Sequence, residues 1–315
     1  MNHLEHFRLA EEPFSNLPDP RFFFTCAEQS QAIEHCLTAL TQVPDCALVT
    51  ASAGMGKTSL ARRLAEVLPS ETWQVCRLVV PCAALTSRGL LRRILALLCG
   101  GAGGASVVLP HEASSRDALA AAIAQRLAAL CAEGRQAVLV IDEAQMLEDS
   151  QALDALGRLC AHRAADLPHL ALILFGQSGC EGRLSQALAE SGLGRPAHHA
   201  LEALFPATVS AYVRHRLERA GSPLMPFTPE ALDALHRLSQ GNVRRVNQLC
   251  DAALFEATRA RRDTIDQAMI ERVGCQLAPL QRPWAPAPFP AAAGEGALPA
   301  DLGEIDRFLG RLQQV

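Results

Sequence analysis

A glycine-containing loop and one acidic pair are the residues of this chain best suited to chemistry. The loop reads Ala51-Ser-Ala-Gly-Met-Gly-Lys57-Thr58 and stands between an apolar stretch and a helical pattern. Loop N–H groups at a helix N-terminus can surround phosphates, a lysine can reach the outer phosphates, and a threonine hydroxyl can bind magnesium. The pattern therefore predicts a nucleoside triphosphate site with bound Mg²⁺.

The predicted cofactor-binding residues are Ala51, Ser52, Ala53, Gly54, Met55, Gly56, Lys57, Thr58 and Ser59. Ala51 occupies the position where the usual motif has its first glycine. Because alanine resists positive φ, the shape of the loop at this residue has to be checked against the structure.

The acidic pair follows a second apolar run, Gln136-Ala-Val-Leu-Val-Ile-Asp142-Glu143. Such a run is typical of a parallel strand buried on both faces, and open α/β sheets bind ligands at the carboxyl ends of their strands. We expect Thr58 to hold Mg²⁺, Asp142 to hold the same ion through water, and Glu143 to orient or activate the attacking water. The competing interpretation is a core strand followed by a solvated, helix-capping acidic pair.

The elements that must position these residues alternate between strand and helix up to about residue 205. Alternation of this kind predicts an α/β fold with a doubly wound parallel sheet. Predicted strands lie near 47–50, 73–80, 136–142 and 169–175, and predicted helices near 28–43, 59–68, 87–98, 115–132 and 150–163. After Pro206 only helical patterns remain, near 207–220, 229–239, 242–260 and 264–274.

These patterns predict five segments, which are an N-terminal linker at 1–30 packing on the nucleotide site, an α/β core at 31–205, a helical lid at 206–276, a Pro/Ala-rich linker at 277–300 and a short helix at 301–315. The last segment carries one apolar face, so it could dock onto a partner protein. It could equally fold back onto its own domain.

Composition favours a cytoplasmic globular protein. Hydrophobic residues make up 49% of the 315, which excludes global disorder, and 29 basic against 33 acidic residues argue against nucleic-acid binding over the whole surface. No signal peptide or membrane span is expected. The scattered cysteines, such as Cys76, Cys99, Cys131 and Cys250, lie in apolar segments and are expected to be reduced, small hydrophobic side chains.

Longer motifs make the chain resemble AAA+ ATPases, and within them the general secretion pathway protein A family. The resemblance covers about residues 5–275 and is carried by Pro13-Phe14-Ser15, Pro18-Asp19-Pro20-Arg21-Phe22, Ile141-Asp142-Glu143-Ala144-Gln145, Phe175-Gly176-Gln177, Tyr212-Val-Arg-His-Arg216-Leu-Glu-Arg-Ala-Gly221 and Ser239-Gln-Gly241-Asn-Val-Arg244-Arg-Val-Asn247. It implies a P-loop core with a C-terminal all-helical lid, and ATP with Mg²⁺ bound between them.

The resemblance also implies roles for three further residues. Gln177 matches the polar sensor between phosphate and attacking water, and Arg244 matches the lid arginine that approaches the γ-phosphate. Arg195 lies near the family's arginine before the lid and could reach into a neighbouring subunit of a homo-oligomer. Its surroundings depart from the family pattern, and the nearby His198 and His199 are interpreted as polar loop residues.

The function implied is an ATP-hydrolysing switch in the assembly or regulation of a bacterial secretion or pilus system, acting on a protein partner. Longer family members add a membrane span and a periplasmic domain, which we do not expect here. Two alternatives stay open. One is a DNA-associated ATPase similar to transposition helper proteins, favoured by Arg244, Arg245, Arg259, Arg261 and Arg262. The other is a scaffold that binds ATP with little turnover.

Overall fold

A computed structural model describes residues 2–17, 19–41, 46–81, 85–100, 115–161, 170–222 and 224–277. These residues form two compact units. The sheet unit contains 31–53 and 57–201, and the helical unit contains 2–30, 54–56 and 202–277. The predicted linker at 277–300, apart from Leu277, which ends a helix, and the predicted helix at 301–315 lie outside the described residues.

The sheet unit is built on five strands: β1 (Cys46–Ala51), β2 (Trp73–Val79), β3 (Gln136–Asp142), β4 (Leu170–Gln177) and β5 (Ala197–Ala200). The strands are parallel and lie in the order β2-β3-β4-β1-β5. β1, β3 and β4 are buried along almost their whole length because helices cover a parallel sheet on both faces.

Five helices of the sheet unit follow the loop or pack beside the strands: α3 (Lys57–Val67), α4 (Ser87–Leu98), α5 (Arg116–Ala132), α6 (Ser150–Ala161) and α7 (Glu181–Glu190). Thr86 and Ser115 cap α4 and α5, since each side-chain oxygen accepts an N–H of the first turn. Leucine and isoleucine side chains on the inner faces of these helices complete the core that holds the strands in place.

The helical unit contains α1 (His3–His6), α2 (Ala27–Ala39, which continues into the sheet unit), α8 (Pro206–Arg219), α9 (Pro229–Ser239), α10 (Val243–Arg259) and α11 (Gln267–Leu277). Arg216 is buried in its core, donates hydrogen bonds to the carbonyl oxygens of Pro13 and Ser15, and stacks 4.7 Å from the Phe22 ring. A buried guanidinium needs such partners. The N-terminal Pro-Phe-Ser motif is therefore tied to α8.

The predicted α/β class with a parallel sheet and a helical C-terminal part is confirmed. Two expectations were wrong. His198 and His199 lie in β5, not in a loop, because their backbone pairs with β1. Cys99 and Cys131 are exposed, since each lies at the outer face or end of its helix, whereas Cys76 and Cys250 are buried as expected. Burial raises the pKa of the Cys76 thiol to about 12.

None of the helices within the described ranges combines the length and apolar character that crossing a membrane requires.

Close packing between α6 and α7 gives a stability prediction. A Cβ added at Gly157 would lie 1.6 Å from Ser191 Oγ and 2.6 Å from Ser191 Cβ, whereas a Cβ at Gly182 meets nothing within 4 Å. We expect Gly157→Ala to lower the free energy of unfolding by about 1–3 kcal/mol through overpacking. Gly182→Ala, the control in α7, should raise it by roughly 0.5 kcal/mol because alanine favours helix. Urea titration followed by circular dichroism measures both, and equal midpoints for the two variants would contradict this packing.

Candidate active site

The carboxyl ends of three strands form the edge of the sheet that carries the candidate site. Ala51 ends β1 and is paired in register with Gln177, which ends β4. Asp142 ends β3 and is paired with Val79 of β2. Because all strands are parallel, these ends lie on one side of the sheet, where open α/β folds bind ligands.

The phosphate loop leaves β1 directly. Ala51 is the last residue of the strand and has extended backbone, so the loop needs no positive φ there and alanine is compatible with its shape. Gly54 and Gly56 supply the left-handed conformations instead, with φ of 85° and 90°. Ser52 and Ala53 join the strand to these glycines, and the Met55 side chain between them is buried.

Lys57 is the first residue of α3, and its ammonium is turned back toward its own loop. Nζ donates hydrogen bonds to the carbonyl oxygens of Ala51 at 2.8 Å and Ser52 at 3.1 Å, and the side chain is only 7% exposed. Carbonyl dipoles are what a buried cation requires. The charge is thus held against the carbonyl oxygens at the start of the loop.

Thr58 and Asp142 bring the loop and the acidic strand together. The Thr58 hydroxyl donates to Asp142 Oδ2 at 2.7 Å, and the other carboxylate oxygen accepts the Glu143 N–H at 2.9 Å. Hydroxyl and carboxylate oxygens are the kind of ligand that Mg²⁺ takes, so Thr58 would hold the ion and Asp142 would hold it through water.

Glu143 has an unusual backbone for its type. Its φ of 57° and ψ of 40° are left-handed, a conformation that costs a non-glycine residue about 1–2 kcal/mol. The turn it makes leads from β3 into the 3₁₀ turn Ala144–Met146, and its side chain is half-buried. Strained conformations of this kind gather at functional sites.

Gln145 is a site residue that sequence reasoning did not single out. Its Nε2 donates a short hydrogen bond to Glu143 Oε2, and its Oε1 accepts the backbone N–H of Gln177 at 2.9 Å. The side chain therefore connects the proposed base on β3 to the end of β4. The sequence alone does not predict this contact, because Gln145 and Gln177 are 32 residues apart in the chain.

Gln177 and Arg244 are the two predicted sensor residues, and both are exposed. Gln177 is exposed at the end of β4, beside Gln145. Arg244 is exposed on the first turn of α10, and its backbone N–H donates to the Gly54 carbonyl at 3.0 Å within the helical unit. A Cβ on Gly54 would lie 2.8 Å from the Cβ of Arg244, so this approach requires glycine. The sensor roles of Gln177 and Arg244 stay predictions.

Arg195 lies exposed just before β5. Within the described ranges, no hydrogen bond or ion pair joins its guanidinium to Lys57, Asp142 or Glu143, so the structure does not bring it into the site. The neighbouring His198 instead contacts β1, with its Nε2 2.8 Å from Thr50 Oγ1. A role for Arg195 in a neighbouring subunit stays a prediction.

Comparison with known proteins agrees with this arrangement. A family model described as AAA domain matches residues 41–184. The chain is also 34% identical over 258 residues to general secretion pathway protein A of Aeromonas hydrophila. That match covers 80% of this chain but only 44% of the relative, so the chain spans less than half the length of that protein.

Solved structures with low sequence identity share the fold. Cdc6p of Pyrobaculum aerophilum matches with a TM-score of 0.61 and 16% identity, covering 82% of this chain and 68% of that one. RuvB of Thermotoga maritima, described as a Holliday junction branch migration motor, matches with a TM-score of 0.53 and 16% identity, covering 81% and 70%. ORC1 of Aeropyrum pernix, solved in complex with DNA, matches with a TM-score of 0.56 and 18% identity, covering 85% and 69%.

Proposed function

Since residues 41–184 match the AAA domain model and the chain is 34% identical over 258 residues to general secretion pathway protein A, we propose that it is an ATP-binding and ATP-hydrolysing molecular switch. The observation that carries the proposal is the 2.7 Å contact between Thr58 and Asp142. It joins a phosphate loop to an acidic strand end, and neither motif alone would provide both a phosphate site and a water-activating carboxylate beside it.

Each residue has a defined task in the proposed reaction. Lys57 exchanges its two carbonyl acceptors for phosphate oxygens of ATP. Thr58 and Asp142 hold Mg²⁺, which when bound draws negative charge from the outer phosphates. Glu143 accepts a proton from water as the water oxygen forms a bond to the γ-phosphorus and the bond to the bridging oxygen breaks. The products are ADP and phosphate.

The cellular process is proposed from the relative that shares the AAA region. We assign the switch to the assembly or regulation of a bacterial secretion or pilus system, on the cytoplasmic side where ATP is supplied. In this proposal the chain works as a homo-oligomer with a protein partner, and Arg195 is the candidate for contact with a neighbouring subunit's nucleotide. Hydrolysis changes how the partner is held.

An unusual feature of composition makes the nucleotide site directly testable. Lys57 is the one lysine of the chain, since the other 28 of its 29 basic residues are arginines. An acyl-phosphate derivative of ATP transfers its acyl group to a lysine amine close to the bound phosphates, forming an amide and releasing ATP. We expect one adduct per chain on the Lys57 peptide, and excess Mg-ATP should suppress it. Mass spectrometry of the digested protein identifies the site.

Lys57→Arg is the matched control, because it keeps the charge but removes the side-chain amine. The N-terminal amine remains as an internal measure of non-specific acylation, and it should react equally with and without Mg-ATP. Labelling of Lys57 that excess Mg-ATP leaves unchanged would refute a nucleotide site at this loop.

The DNA-associated alternative rests on the five arginines named above, and the ion pairs of the helical unit weaken it. Arg259 pairs with Glu256 at 2.8 Å, and Arg262 pairs with Asp266 at 3.1 Å. Two of the five charges are thus balanced locally, which lowers the positive potential that duplex binding needs. Duplex binding that weakens with salt and disappears when Arg244 and Arg245 are neutralised would favour this alternative over the secretion role.

A further inference from the structure

Gln145 is the one side chain that contacts both the proposed base and the neighbouring strand end within the described sheet unit. Its amide donates to Glu143 Oε2 and accepts from the Gln177 N–H. We propose that Gln145 is a positioning residue for ATP hydrolysis, which fixes the Glu143 carboxylate and couples it to the β4 end that carries Gln177. This inference rests on the proposed function and adds a residue to which that function assigns no task.

The direction of the amide is determined by its partners. A backbone N–H can only donate, so the atom of Gln145 that faces Gln177 must be the carbonyl oxygen. The NH₂ group is then directed at the Glu143 carboxylate, which can only accept while ionised. The reversed amide would place donor against donor and acceptor against acceptor. Gln145 therefore has one stable orientation, and its donor always serves Glu143.

The backbone of Gln145 is fixed as well. Arg183 of α7 donates to the carbonyl oxygens of both Gln145 and Leu147, which holds the turn after Glu143. A Cβ added at Gly176 would lie 3.9 Å from Gln145 Oε1 and 2.6 Å from Cys180 Sγ, so β4 approaches the amide closely. Contacts from α7 and β4 thus hold Gln145 in place, and supporting residues of this kind set the geometry of a reacting group.

The arrangement explains how Glu143 can work from a strained backbone. A carboxylate free to rotate would sample positions away from the water it must activate, and small misplacements reduce rates strongly. One carboxylate oxygen is tied to Gln145, which restricts the rotation of the group. Movement of the β4 end would be passed to the base through the same amide. Gln145 therefore links the strand that carries the proposed sensor to the residue that performs the proton transfer.

Two substitutions separate positioning of Glu143 from general support of the fold. Gln145→Met keeps the length of the side chain and removes both hydrogen bonds. Gln145→Glu keeps an acceptor for the Gln177 N–H but has no donor for Glu143. We expect both to lower kcat by about 10–100-fold, the usual cost of losing a supporting residue. Because neither changes the phosphate loop, the Kd of a fluorescent ATP analogue should stay close to that of the unmodified protein, and Gln145→Met should also keep a similar melting temperature.

Gln186→Met is the matched control. Gln186 also donates its amide to a glutamate, Glu190 Oε1 at 2.8 Å, but on the exposed face of α7. It should leave kcat unchanged. The proposal is overturned if Gln145→Met turns over ATP within about twofold of the unmodified protein. It is also overturned if Gln145→Glu keeps full turnover while Gln145→Met loses it, because the bond to β4 would then be the important one. If Gln145→Met does not fold, Gln145→Glu alone decides, and its full turnover refutes the proposal.

Failure of the proposed function would look different. In that case the unmodified protein would hydrolyse no ATP above the level of Glu143→Gln, and the proposal for Gln145 would fall with it. If the unmodified protein is active and Glu143→Gln is not, the activity of the Gln145 variants tests the positioning role alone.

Discussion

Replacing Glu143 with glutamine should lower kcat for ATP hydrolysis by about 10²–10⁴-fold, the contribution typical of a general base. The amide has nearly the same shape as the carboxylate but cannot accept a proton from water. Thr58, Asp142 and Lys57 are untouched, so Mg-ATP should bind as before. Phosphate release under saturating Mg-ATP gives kcat, and equilibrium dialysis gives the affinity.

Glu66→Gln supplies the control for this substitution. Glu66 lies exposed on α3 and forms an ion pair with Arg63 at 3.2 Å, so its neutralisation should not alter turnover. A Glu143→Gln protein with undiminished turnover would favour the alternative in which the chain is a nucleotide-gated scaffold. With turnover blocked and binding intact, the same variant is the natural bait for capturing a partner that recognises the ATP-bound form.

Replacing Lys57 with methionine should lower kcat/KM for ATP by about 10²–10³-fold, because a preorganised charged donor to the phosphates is lost. In contrast to Glu143→Gln, we expect the affinity for Mg-ATP to fall as well. Lys57 is buried against two backbone carbonyls, and methionine fills a similar volume without a charge to desolvate. The melting temperature should therefore stay within a few degrees, which separates loss of binding from loss of fold.

The comparison for this prediction is Arg63→Met, which removes a cation from the same helix at a position away from the loop. It should bind and hydrolyse ATP normally. Equal affinity for Mg-ATP in Lys57→Met and the unmodified protein, measured by isothermal titration calorimetry, would contradict the assignment of the loop.

The central strands could be predicted from sequence because burial on both faces leaves long apolar runs. β1, β3 and β4 have this character, and the parallel fold then places Thr58 near Asp142 although they are 84 residues apart. β5 has no such signal. It is a four-residue edge strand, Ala197–Ala200, that alternates between half-buried and exposed residues and contains two histidines. Its strand conformation comes from pairing with β1, and no local sequence pattern predicts that pairing.

Gln145 shows a different limit. Its neighbours in sequence suggest only a turn after the acidic pair, and glutamine has no strong preference that would reveal a role. The contact with Gln177 exists because Glu143 adopts a left-handed backbone and because β3 and β4 are adjacent in the sheet. Both conditions are tertiary. The sequence could therefore identify the groups that react, but not the amide that holds one of them.

The left-handed backbone of Glu143 has a consequence for how this position tolerates change. Glycine or asparagine would relieve the conformational cost at φ of 57°, so a chain optimised for folding alone would be expected to carry one of them. A protein-engineering screen that selected only for heat resistance would enrich such residues at 143 and discard the carboxylate. At this position, selection for thermal stability and selection for turnover favour different side chains.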